Sequence, residues 1–140
     1  MQQLKLLFIL MAFSFACESD DATPTTPVND DFDETKATLL REGIWMGSGN
    51  YSVSGVAKIY DNQGKKVLLL NNFESSNGPD LRVYLSTTTD AASFVNLGKL
   101  KSTNGKQTYA IPDGTDLTRF KFALVWCQQF SALFGKAETM

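Results

Sequence analysis

The chain never keeps a helical period for long. Apolar residues alternate over a few positions and then meet a turn-forming cluster: Asp61-Asn62-Gln63-Gly64, Asn77-Gly78-Pro79-Asp80, Asn104-Gly105 and Pro112-Asp113-Gly114. Such breaks stop a strand before it grows long, because glycine takes positive φ and proline cannot donate to a ladder. Between them, Val53, Ala57 and Ile59 fall on one face of an expected strand, and Leu81, Val83 and Leu85 on one face of another. Lys66 to Phe73, Phe94 to Leu100 and Gln107 to Ile111 read as further strands, Asn104-Gly105 as the hairpin turn before the last of these, and Phe130 to Phe134 as the final one. Helical signals are confined to a short turn from about Asp33 to Glu42, ended by Gly43, and one turn capped by Thr115 or Asp116. The expectation is an all-β domain, an antiparallel sandwich or partly open barrel of about seven or eight short strands. Trp45, Trp126 and the phenylalanines would fill its core. Tyr51, Tyr60, Tyr84 and Tyr109 could be core or part of a binding face.

The best-buried strand is expected at Phe120 to Cys127. Phe120, Phe122, Leu124 and Trp126 share one face, and Ala123, Val125 and Cys127 the other. A thiol in a core strand is either chemistry or filling, and both readings stay open here. Histidine is absent from the 140 residues. That removes Ser-His-Asp and Cys-His catalysis, histidine-ligated haem and nearly every zinc site. Redox work by Cys127 would need thiolate character and solvent access. The nearest cations in sequence are Arg119, Lys121 and Lys136. No cofactor is called for. Haem ligation through a Cys127 thiolate is the one cofactor arrangement weighed, with no CxxCH motif to support it and Met46 as the only internal methionine of the domain. Asn72, Asn77 and Asp80 could hold a hard cation through side-chain oxygens, or could simply fix the Gly78-Pro79 turn. The second reading carries more weight, and no metal site is assigned. Trp126, Phe130, Asn77 and Asp80 are the neighbouring candidates around Cys127.

The N-terminus has a different composition. Lys5 precedes an apolar run from Leu6 to Phe15 that is too short to span a bilayer, and Ala16-Cys17 ends it. The segment reads as an export signal over residues 1–16. It resembles the lipobox of bacterial lipoproteins, which implies acylation of Cys17; an ordinary cleaved signal with a chance cysteine is the alternative. With Cys17 acylated, Cys127 has no partner in the chain. Glu18-Ser19-Asp20-Asp21 resembles a surface-export signal of some Gram-negative lipoproteins. The expected location is the bacterial cell envelope, on the outer membrane and facing the surface. Residues 17–36 concentrate Asp, Thr and Pro with few large apolar side chains, which reads as a flexible acidic tether. The domain is then 37–140. Its cationic excess is small and scattered, which argues against a nucleic-acid partner.

Several ordered segments resemble a known family. They are Val53-Ser54-Gly55-Val56, Asn72-Phe73, Asn77 to Ser86, Phe94 to Gly98, Tyr109 to Leu117, and Trp126 to Ser131 with Phe134-Gly135. Together they resemble the DM13 domain over about residues 37–138. The resemblance implies an electron-transfer or redox role centred on the family's cysteine, which is Cys127 here. It does not imply turnover of a substrate by this chain alone. The partners expected are the membrane, through the lipid, and a redox or surface protein of unknown identity. The alternative is a cell-surface binding or adhesion module in which Cys127 is structural.

Overall fold

The computed structural model describes residues 22–140; the export signal and Cys17 lie outside the described residues. It is a two-layer β-sandwich. The strands are β1 (Val28–Asn29), β2 (Thr38–Ile44), β3 (Met46–Gly47), β4 (Val53–Asn62), β5 (Lys65–Ser75), β6 (Leu81–Ser86), β7 (Phe94–Lys99), β8 (Asn104–Ala110), β9 (Phe122–Cys127) and β10 (Ala132–Glu138). One sheet runs β1-β8-β5-β4-β2 and the other β3-β10-β9-β6-β7. Every pairing is antiparallel except β1 on β8. The expected all-β class holds, as a sandwich and not a closed barrel.

Local chemistry explains most of these elements. Gln63 and Gly64, at φ 55° and 85°, form the two-residue turn between β4 and β5, the left-handed pair that matches strand twist. Asp61 braces it by accepting the Gly64 N–H at 2.8 Å. Asp116 accepts from the Thr118 N–H at 3.0 Å and so fixes the turn that leads into β9. Inward residues from both sheets make one core. Ala57, Ile59, Leu68, Leu70 and Phe73 come from one layer, and Leu81, Val83, Leu85, Val125 and Phe134 from the other. Trp45 closes the gap between β2 and β3, with its ring edge-on to Phe73. Glu42 and Met140 exchange backbone hydrogen bonds at 3.2 and 3.0 Å, which ties the edge strand β2 to the chain end beyond β10.

Three expectations change. The helical turn near Asp33 is only a 3-10 turn, Glu34–Lys36; Thr38–Ile44 is a strand because it finds a partner in β4, from Thr38 opposite Asp61 to Ile44 opposite Val56. Asn104-Gly105 is not a hairpin turn. β7 pairs with β6 and β8 with β5, so the chain crosses between sheets there. The last strand begins at Ala132, after a turn that holds Phe130.

Composition also suggested a flexible tether through residue 36. In the structure, residues 22–36 lie along the domain. Val28–Asn29 pairs with Gly105–Lys106. Asp30 accepts from the Thr108 N–H at 2.9 Å and from Lys101 at 2.5 Å. Glu34 accepts from the Tyr60 hydroxyl at 2.6 Å and from Lys58 at 3.0 Å, and the Phe32 ring packs at 5.4 Å from that of Tyr60. Isolated, this strap could not bury enough surface to offset its ordering entropy; polar clasps to preformed strands supply what its own composition lacks.

Gly105 is where the strap needs a glycine. Its φ is 109°, and a Cβ there would lie 2.0 Å from the Val28 carbonyl oxygen. Gly105→Ala is expected to cost about 2–3 kcal/mol in urea unfolding and to make residues 22–36 cleavable by protease in the native state.

The clasps also set a pH dependence. The Tyr60 hydroxyl, and then Lys58, hold the Glu34 carboxyl below its usual range. Burial opposes the same shift at Asp30, but hydrogen bonds from Lys101 and Thr108 outweigh it. A depressed folded pKa gives stability that is present above the unfolded value of about 4 and is lost as pH falls through the folded one. Glu34→Gln should therefore lower the urea midpoint at pH 7, with the difference from the parent chain shrinking as pH falls below about 4.

Candidate functional site

Cys127 ends β9, with Leu81 of β6 on one side and Ala132 of β10 on the other. Strand alternation points it into the core with Ala123 and Val125. It is free and 0% exposed. Its thiol donates to the Pro79 carbonyl at 2.9 Å. That carbonyl belongs to the loop Asn77-Gly78-Pro79-Asp80, which covers the strand end.

The loop is held from several sides. The Asn77 side chain accepts the Gly78 N–H at 2.7 Å and donates to the Thr23 carbonyl of the strap at 3.0 Å. Ala22 bridges to Pro79, and the Thr23 hydroxyl donates to the Gly78 carbonyl at 3.5 Å. Asp80 sits at φ 53°, a region unusual for a non-glycine residue. Its carboxylate is tied to Arg82 at 2.6 Å, and its carbonyl accepts the Gln128 N–H at 3.1 Å. Beneath the loop, a Cβ on Gly78 would lie 2.6 Å from the Phe134 ring. Phe134 in turn stacks face to face on Tyr51, with centroids 3.7 Å apart. The thiol is thus roofed by a loop that the strap clamps from outside and an aromatic pair supports from below.

The structure brings Asn77 and Asp80 into this arrangement and leaves Trp126 and Phe130 out of it. Trp126 points to the opposite face of its sheet, where its ring lies 6.3 Å from that of Tyr84; Tyr84 stacks at 4.1 Å on Phe94. Phe130 is 58% exposed in the turn after β9. Trp126, Phe122 and Phe94 are therefore on the outer face and not in the core where the aromatics were expected, whereas Tyr60, Tyr84 and Tyr109 are buried. Asn72, at φ 48°, forms a bulge of β5 opposite Gly55 and is apart from Asn77 and Asp80. Arg119 and Lys121 stand at the start of β9, the far end from Cys127. Lys121 pairs there with Glu138 at 2.8 Å. Lys136 lies opposite Leu124, not Cys127.

Sequence reasoning missed Thr23 and the Pro79 carbonyl. The polar strap gives no hydrophobic signal, and a backbone oxygen carries none. The residues present do not fit haem. Cys127 is sealed by polypeptide, and Met46 belongs to the edge strand β3. The small cavity beside the strap, lined by Thr23, Pro24, Asp80, Leu81, Lys99 and Leu100 among others, measures about 160 Å³, against at least about 300 Å³ for small-molecule sites. Among the described residues, no group of three or more His, Cys, Asp or Glu side chains could hold a metal ion.

An antiparallel sandwich with one occluded thiol at the end of a central strand is the class that fold and site define. A family model described as electron transfer DM13 matches residues 46–139, most of the chain, and the chain belongs to that family. The matched span starts at β3, so the strap and β2 lie outside it. No curated protein and no solved structure matches.

Cys127→Ala removes a buried sulfur and frees the Pro79 carbonyl. A loss of about 1–2 kcal/mol is expected, read as a lower urea midpoint with an unchanged m-value.

Proposed function

We propose that this protein is an electron-transfer domain held in a bacterial cell envelope by lipid on Cys17, with Cys127 as the group that changes oxidation state. One observation carries the reading: in a chain of an electron-transfer family, a free thiol ends a core strand beneath a single clamped loop. The Leu6–Phe15 run and Ala16-Cys17 support the anchor, and Glu18 to Asp21 support a position on the outer membrane facing the surface. Three acyl chains anchor stably where one does not.

Thiol exchange requires a thiolate and access to it. Cys127 gains access when the 77–80 loop lifts, which breaks the Asn77–Thr23 and Ala22–Pro79 contacts. The thiol proton passes to water. The Cys127 thiolate then displaces one sulfur of a disulfide in the redox partner, which leaves as a thiolate, and a mixed disulfide forms. The protein exchanges electrons with a partner protein and turns over no substrate alone. No cofactor and no nucleic acid enters this reading.

The 0% exposure of Cys127 favours a second reading, a surface binding or adhesion module in which the sulfur is filling. Thiol labelling of the mature chain carrying Cys17→Ser separates the two. A redox thiol labels slowly in native buffer, through loop opening. Asn77→Ala should then speed labelling about fivefold, the factor for about 1 kcal/mol, beyond any change in global stability. Labelling that follows only the global unfolding rate, in both chains, would sink the redox reading and leave the binding module.

A further inference from the structure

The two ends of the sandwich differ in charge. Strand directions put five segments at the Cys127 end: the strap at 22–28 and the connections at 48–52, 76–80, 100–103 and 128–131. They touch one another. The Ser76 N–H donates to the Ser52 carbonyl, Ser75 to Thr103, and Thr103 to Pro24, at 2.8 to 2.9 Å. Asp80 and Lys101 are the only charged residues in the five. Their side chains are Ser, Thr, Asn, Gln, Pro and a few apolar ones, and the turn at 128–131 presents the exposed ring of Phe130. Charge at this rim is confined to ion pairs and to its margin. Asp80 is paired with Arg82 and Lys101 with Asp30, while Glu74 and Lys99 flank it. The opposite end carries Asp33, Glu34, Lys65, Asp90, Asp113 and Arg119.

The chain enters the domain at the charge-poor end. From Cys17 to Ala22 there are five residue steps, at most about 18 Å when fully extended. Docking of the strap fixes the point from which that length is measured, since Ala22 is bridged to Pro79. The other end lies the length of β4 away, ten residues or about 33 Å.

Resting on the anchor reading above, we propose that this charge-poor end is a lipid-contacting surface, seated on the headgroups of the membrane that holds Cys17, with Phe130 in the interface. Neutral hydroxyl and amide side chains exchange water for headgroup hydrogen bonds without desolvating an ion. An aromatic ring gains from the interface. An unpaired charge would cost free energy there, and the two charges within these connections are both ion-paired. Cys127 then lies on the membrane side of the domain, while the charged end projects away.

The test uses the acylated full-length protein in phosphatidylcholine vesicles, which are zwitterionic because Glu18, Asp20 and Asp21 fall within the spacer. A fluorescent amino acid with a nitrobenzoxadiazole side chain is placed at position 130 or, in a second variant, at position 63 in the far hairpin turn. The expected result is a blue shift on vesicle binding at 130 and loss of its emission with nitroxide-labelled lipid, with position 63 unaffected. Equal quenching at both positions, or none at 130, would overturn the proposal. A blue shift at 130 without nitroxide quenching would also overturn it and assign this end to a protein partner or a second copy. Intact mass of the extracted protein reports separately on Cys17. If no acyl chain is found, the anchor reading fails alone, and the same two probes are read with a maleimide lipid coupled to Cys17 of the leaderless chain.

Discussion

The thickness of the space between two packed sheets decides where the sulfur goes. Facing sheets sit about 10 Å apart, and large groups already occupy that layer here: Phe73 and Trp45 from one side, Phe134 from the other, and leucines from β5 and β6. Opposite them β9 can offer only small side chains. Ala123, Val125 and Cys127 turn inward and are fully buried. Phe122, Leu124 and Trp126 turn outward, where Tyr84 and Phe94 stack beside them. With β9 in the opposite register, three large side chains would meet a filled core, so Cys127 is interior because the volume on the other face leaves no alternative.

Sequence pattern shows that β9 alternates but not which face wins, since both faces are apolar. This is why Phe122 and Trp126 were expected in the core and are found outside it. The strands around Leu81-Val83-Leu85 and Val53-Ala57-Ile59 were readable because one face of each is distinctly more apolar. The turns at Gln63-Gly64 and Asn77 to Asp80 were readable because their backbone conformations demand those residue types. The crossover at Asn104-Gly105 was not. Its glycine answers to the approach of Val28 from far away in sequence, and local sequence carries no trace of a distant carbonyl.

The strap shows the same limit. Residues 22–36 have the composition of a disordered linker, and composition is a statement about what a segment can bury by itself. It is blind to carboxylates that reach a waiting N–H or hydroxyl. Asp30 on Thr108 and Glu34 on Tyr60 are such contacts, each joining residues far apart in the chain. The candidate site was legible only in part for this reason. Cys127, Asn77 and Asp80 carry recognisable chemistry, whereas the clamp that seals them depends on Thr23.

Strap and thiol are consequently one mechanical unit. Whatever loosens Ala22 and Thr23 also loosens the loop whose carbonyl holds the Cys127 proton. Of the strap's acidic clasps, Glu34 holds Tyr60 and Lys58 toward the far end and Asp30 reaches Lys101 and Thr108, whereas its contacts to the loop over Cys127 are all neutral. Local openings in proteins follow such divisions, with the segment of fewest buried apolar contacts opening first. Residues 22–24 hold the loop through a backbone bridge and side-chain hydrogen bonds, with no large apolar side chain committed there. The covering of the sulfur is therefore complete in space, and what holds it from the strap side is a set of polar contacts and not packed apolar side chains.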